Sequence, residues 1–409
     1  VATFILGLIA EPPPTRYVYA PDKRAADRIE GERLLRKYNC VGCHMLELPE
    51  IRIQTTLEGI PAGKLADSDY EAGRDLLLRI QPPRHVTLSA NAKGKFEYSF
   101  HGLSVSRPDP ADTDLDPDER EYAFNLWEPL TLNWTIPAEK GKPQSASRTL
   151  LPSEKLLTLE PDLLDEKPAR GGRFAEWLVA DLFARSNRQP EDRDLSWQAS
   201  PPPLAGEGRK AQTPWLYHFL KNPPQIRYTT VLRMPRFNLD DSEARSLANY
   251  FAATDGAPYP YQPIPQKEDG YLAERNREFQ AFERPHDYLA ESWQLLNGNL
   301  CIKCHSLGGR TFKFDPNAKP KPIRGPNLEA VSQRLQPGWV QVWLYNPKWF
   351  TPYTSMPQPF AKNQKKSLQH FAGNGSAQAT AVRDALMNYF RLLERDGKLE
   401  PAPEGDAQP

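Results

Sequence analysis

The sequence predicts a mainly α protein in which one helical domain occurs twice in tandem, the first copy being interrupted by a β-rich (α+β) insertion. Two observations predict the duplication: the pattern Cys-x-x-Cys-His occurs at 40–44 and again at 301–305, and a longer segment downstream of each motif is repeated. A third observation, alternation of apolar and polar residues between 85 and 136, predicts strands inside the first copy.

Composition is that of a globular protein with long loops. The chain has 409 residues, enough for two or three domains, with 39% apolar residues and 42 prolines. Lysine plus arginine equals aspartate plus glutamate, at 52 each. Because no net charge draws the chain onto a polyanion, we expect no nucleic-acid partner.

The repeat defines the order of elements in each copy. Residues 202–223 align without a gap with residues 326–347, and "SLANYFAA" matches "ALMNYFRL" further on. Gly31 and Ser292 are small residues, each nine positions before the first cysteine of its motif. Each copy therefore predicts a helix, Cys-x-x-Cys-His, a proline-rich loop, a helix, a Met-Pro loop and a last helix.

All 4 cysteines of the chain lie in the two motifs. A disulfide-stabilised domain would scatter its cysteines, and a zinc site would need two further ligands near each pair. Cys-x-x-Cys-His is the attachment signature of haem c, so we predict two covalently attached haem c groups; the alternative is buried free thiols. The residues predicted to hold them are Cys40, Cys43 and His44, and Cys301, Cys304 and His305.

The function of a haem depends on the ligand opposite its histidine. Of the 4 methionines, Met45 follows His44 directly and cannot reach the far face of the same haem. Met387 lies in a helical pattern and is predicted to pack in the core. Met234 and Met356 each precede a proline in a loop, at matching places in the repeat, and are the candidates.

The order of helices, haem motif and Met-Pro loop resembles the class I type of small c cytochrome. In that family the first and last helices cross near a small residue, and the methionine loop covers the far face of the haem. The resemblance implies that Met234 and Met356 are the distal ligands. It also implies that the backbone carbonyls of Pro202 and Pro326 accept a hydrogen bond from the ligand histidines.

The sequence pattern "YNCVGCH … GEG … RMPRFNLDDSEARSLANYFAA" also resembles the cytochrome c subunits of bacterial membrane-bound quinol-oxidising (bc-type) respiratory complexes. That resemblance implies membrane subunits of the cytochrome b or quinol-oxidising type as donor. It implies a soluble cytochrome or terminal oxidase as acceptor, at the periplasmic face of the cytoplasmic membrane.

An iron with both faces occupied has no place for oxygen or peroxide, so we expect an electron-transfer protein rather than an enzyme. The alternative is a di-haem peroxidase, in which one haem has an open or histidine-gated distal face. A neighbouring histidine, His218 or His286, could then replace a methionine.

The insertion is expected to carry strands at "HVTLSA", "KFEYSFHGLSVS" and "LTLNWTI", and helices at "YEAGRDLLLRI" and "GGRFAEWLVADLFARS". Its acidic run at 109–121 lacks the glycine and terminal glutamate of an EF-hand loop, so calcium is not expected.

The first ten residues are uncharged and mostly apolar, which favours part of a membrane anchor over the remainder of a signal sequence. The predicted segments are, in chain order, 1–21 (anchor remnant and linker), 22–46 (domain 1, first part), 47–199 (insertion), 200–256 (domain 1, second part), 257–285 (proline-rich linker), 286–397 (domain 2) and 398–409 (flexible tail).

Overall fold

The computed structural model describes residues 19–56, 59, 71–90, 94–106, 122–136, 142–158, 165–174, 177–178, 181, 192–282, 287–297, 301–309, 324–360 and 370–395. The predicted anchor at the N-terminus, the acidic run and the C-terminal tail lie outside these residues, as does most of the helix predicted at 171–186. Within the described ranges, no helix is both long enough and apolar enough to span a bilayer.

The secondary structure of the described residues runs as follows. The helices are α1 (Lys23–Lys37), α2 (Glu71–Ile80), α3 (Asp192–Ala199), α4 (Glu207–Lys210), α5 (Thr213–Lys221), α6 (Asp241–Thr254), α7 (Asp269–Phe282), α8 (Tyr288–Asn297), α9 (Val331–Arg334), α10 (Pro337–Tyr345), α11 (Gly375–Met387) and α12 (Tyr389–Arg395). The strands are β1 (Met45–Glu47), β2 (Glu50–Thr55), β3 (Arg84–Thr87), β4 (Phe96–Ser106), β5 (Tyr122–Leu126), β6 (Leu130–Ile136), β7 (Gln144–Leu150), β8 (Lys155–Thr158), β9 (Asp165–Lys167) and β10 (Arg170–Gly171).

The fold class is α+β, with 45% of the described residues in helices and 19% in strands. The prediction of a mainly α protein built from two cytochrome c-like helical domains in tandem is therefore wrong. The predicted strands at β3, β4 and β6 and the helix α2 are confirmed. Strands without clean alternation, such as β7, were missed because pairing with a neighbour, rather than local pattern, holds them extended.

The insertion contains most of the sheet structure. A five-stranded antiparallel sheet has the order β8-β5-β4-β2-β9, and a three-stranded sheet has the order β3-β6-β7, with β3 and β6 parallel. The two share one apolar core, so the insertion has a buried interior of its own. That core consists of Ile51, Ile53, Leu88, Tyr98, Phe100, Phe124, Leu126, Leu130, Leu132, Leu150 and Leu156.

The first helical unit consists of α1 and α4 to α6. Asp22 caps α1 by accepting the amide of Ala25 at 2.7 Å, which satisfies a donor that the first turn leaves free. Helices α1 and α6 cross at Gly31, where a Cβ would lie 2.2 Å from the Cβ of Tyr250. A crossing beside a small residue was implied by the resemblance to class I c cytochromes, and only glycine fits at this position.

The second helical unit consists of α8 to α12. Its core includes Leu296, Val342 and Ala385, each fully buried. Ser292, the predicted small residue, is also fully buried, and its hydroxyl donates to the carbonyl of Tyr288 at 2.7 Å. Helix α2 of the insertion packs against α10 and places Leu77 in this core, so the insertion contacts the copy that it does not interrupt.

The segment predicted as a proline-rich linker contains α7 and has contacts with both units. The hydroxyl of Tyr259 donates to Asp27 of α1 at 2.7 Å. Further on, the hydroxyl of Tyr271 donates to Asp384 of α11 at 3.0 Å, and the amide of Asn388 donates to the carbonyl of Gln266 at 2.8 Å. The segment is therefore held to both units at Tyr259, Gln266 and Tyr271.

The two helical units meet through equivalent residues of the repeat. In the gapless alignment Lys210 falls on Arg334 and Gln212 on Gln336. The backbone amide of Gln212 donates to the carbonyl of Arg334 at 2.8 Å, and that of Gln336 donates to the carbonyl of Lys210 at 2.9 Å. Each half of the contact thus repeats the other, as in a two-fold symmetric interface.

Candidate haem sites

Both Cys-x-x-Cys-His motifs fold into the same tight turn. The backbone amide of His44 donates to the carbonyl of Cys40 at 3.0 Å, and that of His305 donates to the carbonyl of Cys301 at 3.0 Å. The first turn is entered through Asn39 in the left-handed conformation, at φ 52°. The duplicated sequence therefore produces the same local geometry twice.

Each motif histidine is held by a proline carbonyl. Nδ1 of His44 lies 2.8 Å from the carbonyl oxygen of Pro202, and Nδ1 of His305 lies 2.6 Å from that of Pro326. A carbonyl only accepts, so Nδ1 must carry the hydrogen in each ring. Nε2 is then the nitrogen left to bind a metal.

Burial favours the neutral form of both imidazoles. It lowers the pKa of His44 and of His305, and the bond to the proline carbonyl opposes this shift only in part. The neutral ring is the form that ligates a metal, because a protonated Nε2 has no lone pair.

The four cysteines are free thiols in the structure. Burial raises the pKa of Cys40 to about 11 and that of Cys301 to about 12. Both thiols are therefore protonated near neutral pH, whereas a dithiol that exchanges disulfides needs a lowered pKa. This electrostatic setting does not favour a thioredoxin-type redox pair.

A cavity of about 820 Å³ lies beside the second motif. Its volume falls within the range of about 300–1,000 Å³ that is usual for small-molecule and cofactor sites. Predicted site residues in its wall are Cys301, Cys304, His305, Pro326 and Met356. The wall also carries apolar side chains on helices of the second unit, among them Leu296, Trp339, Trp343, Val382 and Leu386.

Gly325 shows how closely the chain packs around His305. A Cβ at this position would lie 2.4 Å from Cε1 of His305. The imidazole therefore lies against bare backbone on one side, while Pro326 holds its Nδ1. Together with the free thiols and the adjoining cavity, this arrangement fits a covalently attached haem whose iron is bound by Nε2.

The two methionines have different surroundings. Met356 is half-buried at the cavity, and its Sδ lies 2.9 Å from Nε1 of Trp343, which donates to it. Met234 packs against the core of the first unit, as does Cys40. The structure thus gathers the second set of predicted ligands around one cavity, whereas of the first set Cys40 and Met234 pack against one core.

A group of cations lies at the junction of the two units. The ammonium of Lys210 lies 2.5 Å from a carboxylate oxygen of Glu207, and the guanidinium of Arg324 lies 3.6 Å from the ring centre of Tyr228. Burial lowers the pKa of Lys210 and lowers that of Arg334 to about 10, against the attraction of Glu207. All five side chains line the cavity.

Sequence reasoning missed this group, although one signal was present: Lys210 and Arg334 are aligned in the repeat. Burial destabilises the charged forms of these side chains, and carboxylates bound beside them would offset that cost. The group therefore favours an anionic ligand.

The insertion also contributes to the cavity wall. His101 and Glu128 line it, with Nδ1 of His101 3.0 Å from a carboxylate oxygen of Glu128. Nε of Arg84 donates to the other oxygen at 2.8 Å. Burial would raise the pKa of Glu128, but His101 and Arg84 outweigh it and the pKa is lowered.

Other predictions about histidine and methionine can be compared directly with the structure. Met387 is buried in α11, which confirms core packing. His218 is exposed, and His286 lies outside the described residues. Within the described ranges, no group of three or more His, Cys, Asp or Glu side chains is arranged to hold a metal ion.

The two candidate sites are joined through Pro202. Its carbonyl holds His44, and it lines the same cavity as His305.

No protein-family model, curated protein or solved structure matches the chain, so its function must be inferred from its own residues.

Proposed function

We propose that the chain is a di-haem c-type cytochrome that relays single electrons and catalyses no reaction of its own. One observation carries this proposal. Pro202 lines the cavity beside Cys301, Cys304 and His305, and its carbonyl oxygen lies 2.8 Å from Nδ1 of His44. The ligand histidine of the first site is therefore one hydrogen bond away from the wall of the second.

Haem c supplies a reversible one-electron change at its iron. The residues that would hold the two groups are Cys40, Cys43, His44 and Met234 in the first site, and Cys301, Cys304, His305 and Met356 in the second. Pro202 and Pro326 orient the imidazoles through Nδ1 and make them better donors. Lys210 and Arg334 would face the carboxylates of the groups.

Apolar side chains share the cavity wall with Met356, among them Trp339, Trp343 and Leu386. With His305 and Met356 as its two protein ligands, the iron would have no position for peroxide or oxygen. This supports an electron carrier over a di-haem peroxidase, which needs one accessible iron.

For the partners, we propose a membrane subunit of the cytochrome b or quinol-oxidising type as donor. The acceptor would be a soluble cytochrome or a terminal oxidase at the periplasmic face of the membrane. The resemblance of the motifs to subunits of such complexes supports this assignment. Covalent attachment of haem, which takes place outside the cytoplasmic membrane in bacteria, supports the compartment.

The test is the number of haems per chain after production in cells that attach haem c. Denatured protein should carry two covalent haems by mass and by the pyridine haemochrome spectrum. The double variants Cys40→Ser/Cys43→Ser and Cys301→Ser/Cys304→Ser should each carry one. Protein without covalent haem would refute the proposal, and turnover of hydrogen peroxide would move the assignment to the peroxidase.

A further inference from the structure

The two loops that carry Met234 and Met356 have no regular secondary structure around the methionine. Such loops are held by contacts from outside rather than by a ladder of backbone hydrogen bonds. A methionine ligand must nevertheless stay within bonding distance of its iron. Whatever fixes these loops therefore controls ligation.

The loop of Met356 is held by the end of the insertion. Nε2 of Gln198 donates to the carbonyl of Tyr353 at 3.0 Å, and the hydroxyl of Ser355 donates to Oε1 of Gln198 at 3.0 Å. Tyr353 and Ser355 precede Met356 by three residues and one residue. The side chain of Gln198 therefore forms hydrogen bonds with two residues of this loop, both close to Met356.

Aromatic packing also holds the loop of Met356. The ring of Trp197 stacks on that of Tyr353 with centroids 5.7 Å apart. The ring of Trp127 meets Tyr353 edge-on at 5.7 Å, and its Nε1 donates to the carbonyl of Phe350 at 3.1 Å. Trp127, Trp197 and Tyr353 are all buried, so the loop rests on a packed surface of the insertion.

The same turn of chain also holds the loop of Met234. The hydroxyl of Thr229 donates to the carbonyl of Gln198 at 3.2 Å, and the amide of Val231 donates to the carbonyl of Ala199 at 3.0 Å. Thr229 and Val231 lie five and three residues before Met234. Gln198 therefore contacts one methionine loop with its side chain and the other with its backbone.

We propose that residues 197–199, the end of α3, form a brace that fixes both methionine loops, with Gln198 as the positioning residue for axial ligation. This inference rests on the proposed function. It gives the insertion a structural role, because a segment that interrupts the first copy returns between the two methionine loops and holds them in one arrangement. Without the side-chain hydrogen bonds of Gln198, we expect the loop of Met356 to become more mobile first. The loop of Met234, which the backbone at the end of α3 holds, should become more mobile as a consequence.

The test uses the full holoprotein and the variant Gln198→Leu, which has a similar volume but cannot form the hydrogen bonds to Tyr353 and Ser355. Gln225→Leu is the matched control, because Gln225 is exposed in the loop of Met234 and donates a long 3.5 Å bond to Arg227. Readouts are the methionine-to-iron charge-transfer band of the oxidised protein, carbon monoxide binding after reduction, both midpoint potentials and the melting temperature.

We expect Gln198→Leu to lose charge-transfer intensity and midpoint potential at the second haem and to admit carbon monoxide there. Its melting temperature should fall below that of Gln225→Leu, because the carbonyl of Tyr353 loses this donor. The amide of Val231 should exchange faster with solvent, since the brace also holds the first loop. Gln198→Glu keeps the acceptor for Ser355 and should recover part of the band.

Gln198→Leu with the band and both potentials of the wild type would overturn the inference, as would a lower melting temperature without spectral change. Should Gln198→Leu not fold, Ser355→Ala removes one bond at an exposed site and must shift the same band in the same direction; an unchanged band overturns the inference. A wild-type spectrum without any methionine band would instead remove the proposed ligation, and the inference with it.

Discussion

Ala211 and Leu335, which are equivalent in the repeat, pair with each other in an isolated antiparallel bridge. Both are buried. The contact is what two copies of one domain would form about a two-fold axis, but here it lies within one chain. The bridge is one of the contacts that hold the two units together and so helps to set the separation of the two proposed haem sites.

The glutamines that flank the bridge are not equally engaged, and this difference predicts unequal costs of truncation. Nε2 of Gln212 donates to the carbonyls of Ser332 at 3.0 Å and Leu335 at 2.7 Å, whereas Nε2 of Gln336 donates to that of Ala211 at 3.3 Å. A buried acceptor left unpaired costs about 1–3 kcal/mol. In urea unfolding, Gln212→Ala should lose more free energy of unfolding than Gln336→Ala. The reverse order would contradict this view of the bridge.

The hydrogen bond to Met356 predicts that the two haems have different potentials. Trp343 donates to Sδ of Met356, and its equivalent in the first copy is Phe219, which has no donor. A donor to the sulfur weakens its donation to ferric iron, so Trp343→Phe should lower the potential of the second haem. A bond worth about 0.5–1.5 kcal/mol corresponds to at most about 20–65 mV. In a redox titration the first haem is the internal control, and an unchanged second potential would count against the bond.

The close contact between Gly325 and His305 predicts that a larger residue at position 325 would distort the second site. In Gly325→Ala the new methyl group meets the ring of His305, and overpacking of this kind costs about 1–3 kcal/mol. The imidazole should be displaced from Pro326, and the reduced variant should bind carbon monoxide at one haem. Gly270→Ala is the control, because a Cβ there has no neighbour within 4 Å. Equal spectra for the two variants would show that the ring can move away without loss.

The contact between α1 and α6 predicts a specific acid response. Glu243 accepts from Nζ of Lys37 at 2.5 Å, the hydroxyl of Tyr38 at 2.7 Å and the amide of Asp240 at 3.1 Å. These bonds hold the pKa of Glu243 at about 2, below its ordinary 4.5. A lowered pKa stabilises the fold above pH 4.5, and this stabilisation is lost as the pH falls toward 2.

The variant Glu243→Gln should therefore be less stable than the wild type at pH 7, with the gap closing between pH 4.5 and 2. The measurement is urea unfolding of both proteins across this range. Glu274→Gln, which removes an exposed pair with Arg277 in α7, should change stability little at any pH. A gap that stays constant down to pH 2 would exclude the ion pair as its cause.

Local sequence patterns predicted the structural elements that local interactions determine. The strands β4 and β6 follow from alternation of apolar and polar residues, whereas the helix crossing beside Gly31 was implied by the resemblance. The bonds from His44 and His305 to the proline carbonyls were implied by the resemblance and by the aligned prolines. That these residues hold haem remains a prediction.

Contacts between distant parts of the chain were not predictable in this way. Leu77 has an ordinary helical pattern around it, and nothing local indicates that it enters the core of the second unit. Gln198 carries no signal at all, because its partners, Tyr353 and Thr229, lie in two loops far along the chain. The fold class was wrong for the same reason: strand pairing across the insertion decides how much sheet forms.

One spectroscopic experiment tests the central claim, that both irons are bound by histidine and methionine and serve only to carry electrons. The purified protein is recorded oxidised, reduced with dithionite, and reduced under carbon monoxide. We predict a methionine-to-iron charge-transfer band with the intensity of two haems and no change on adding carbon monoxide. Carbon monoxide bound to one haem of the two would show an open iron and contradict the claim, and the site of Met234 would be the first to test.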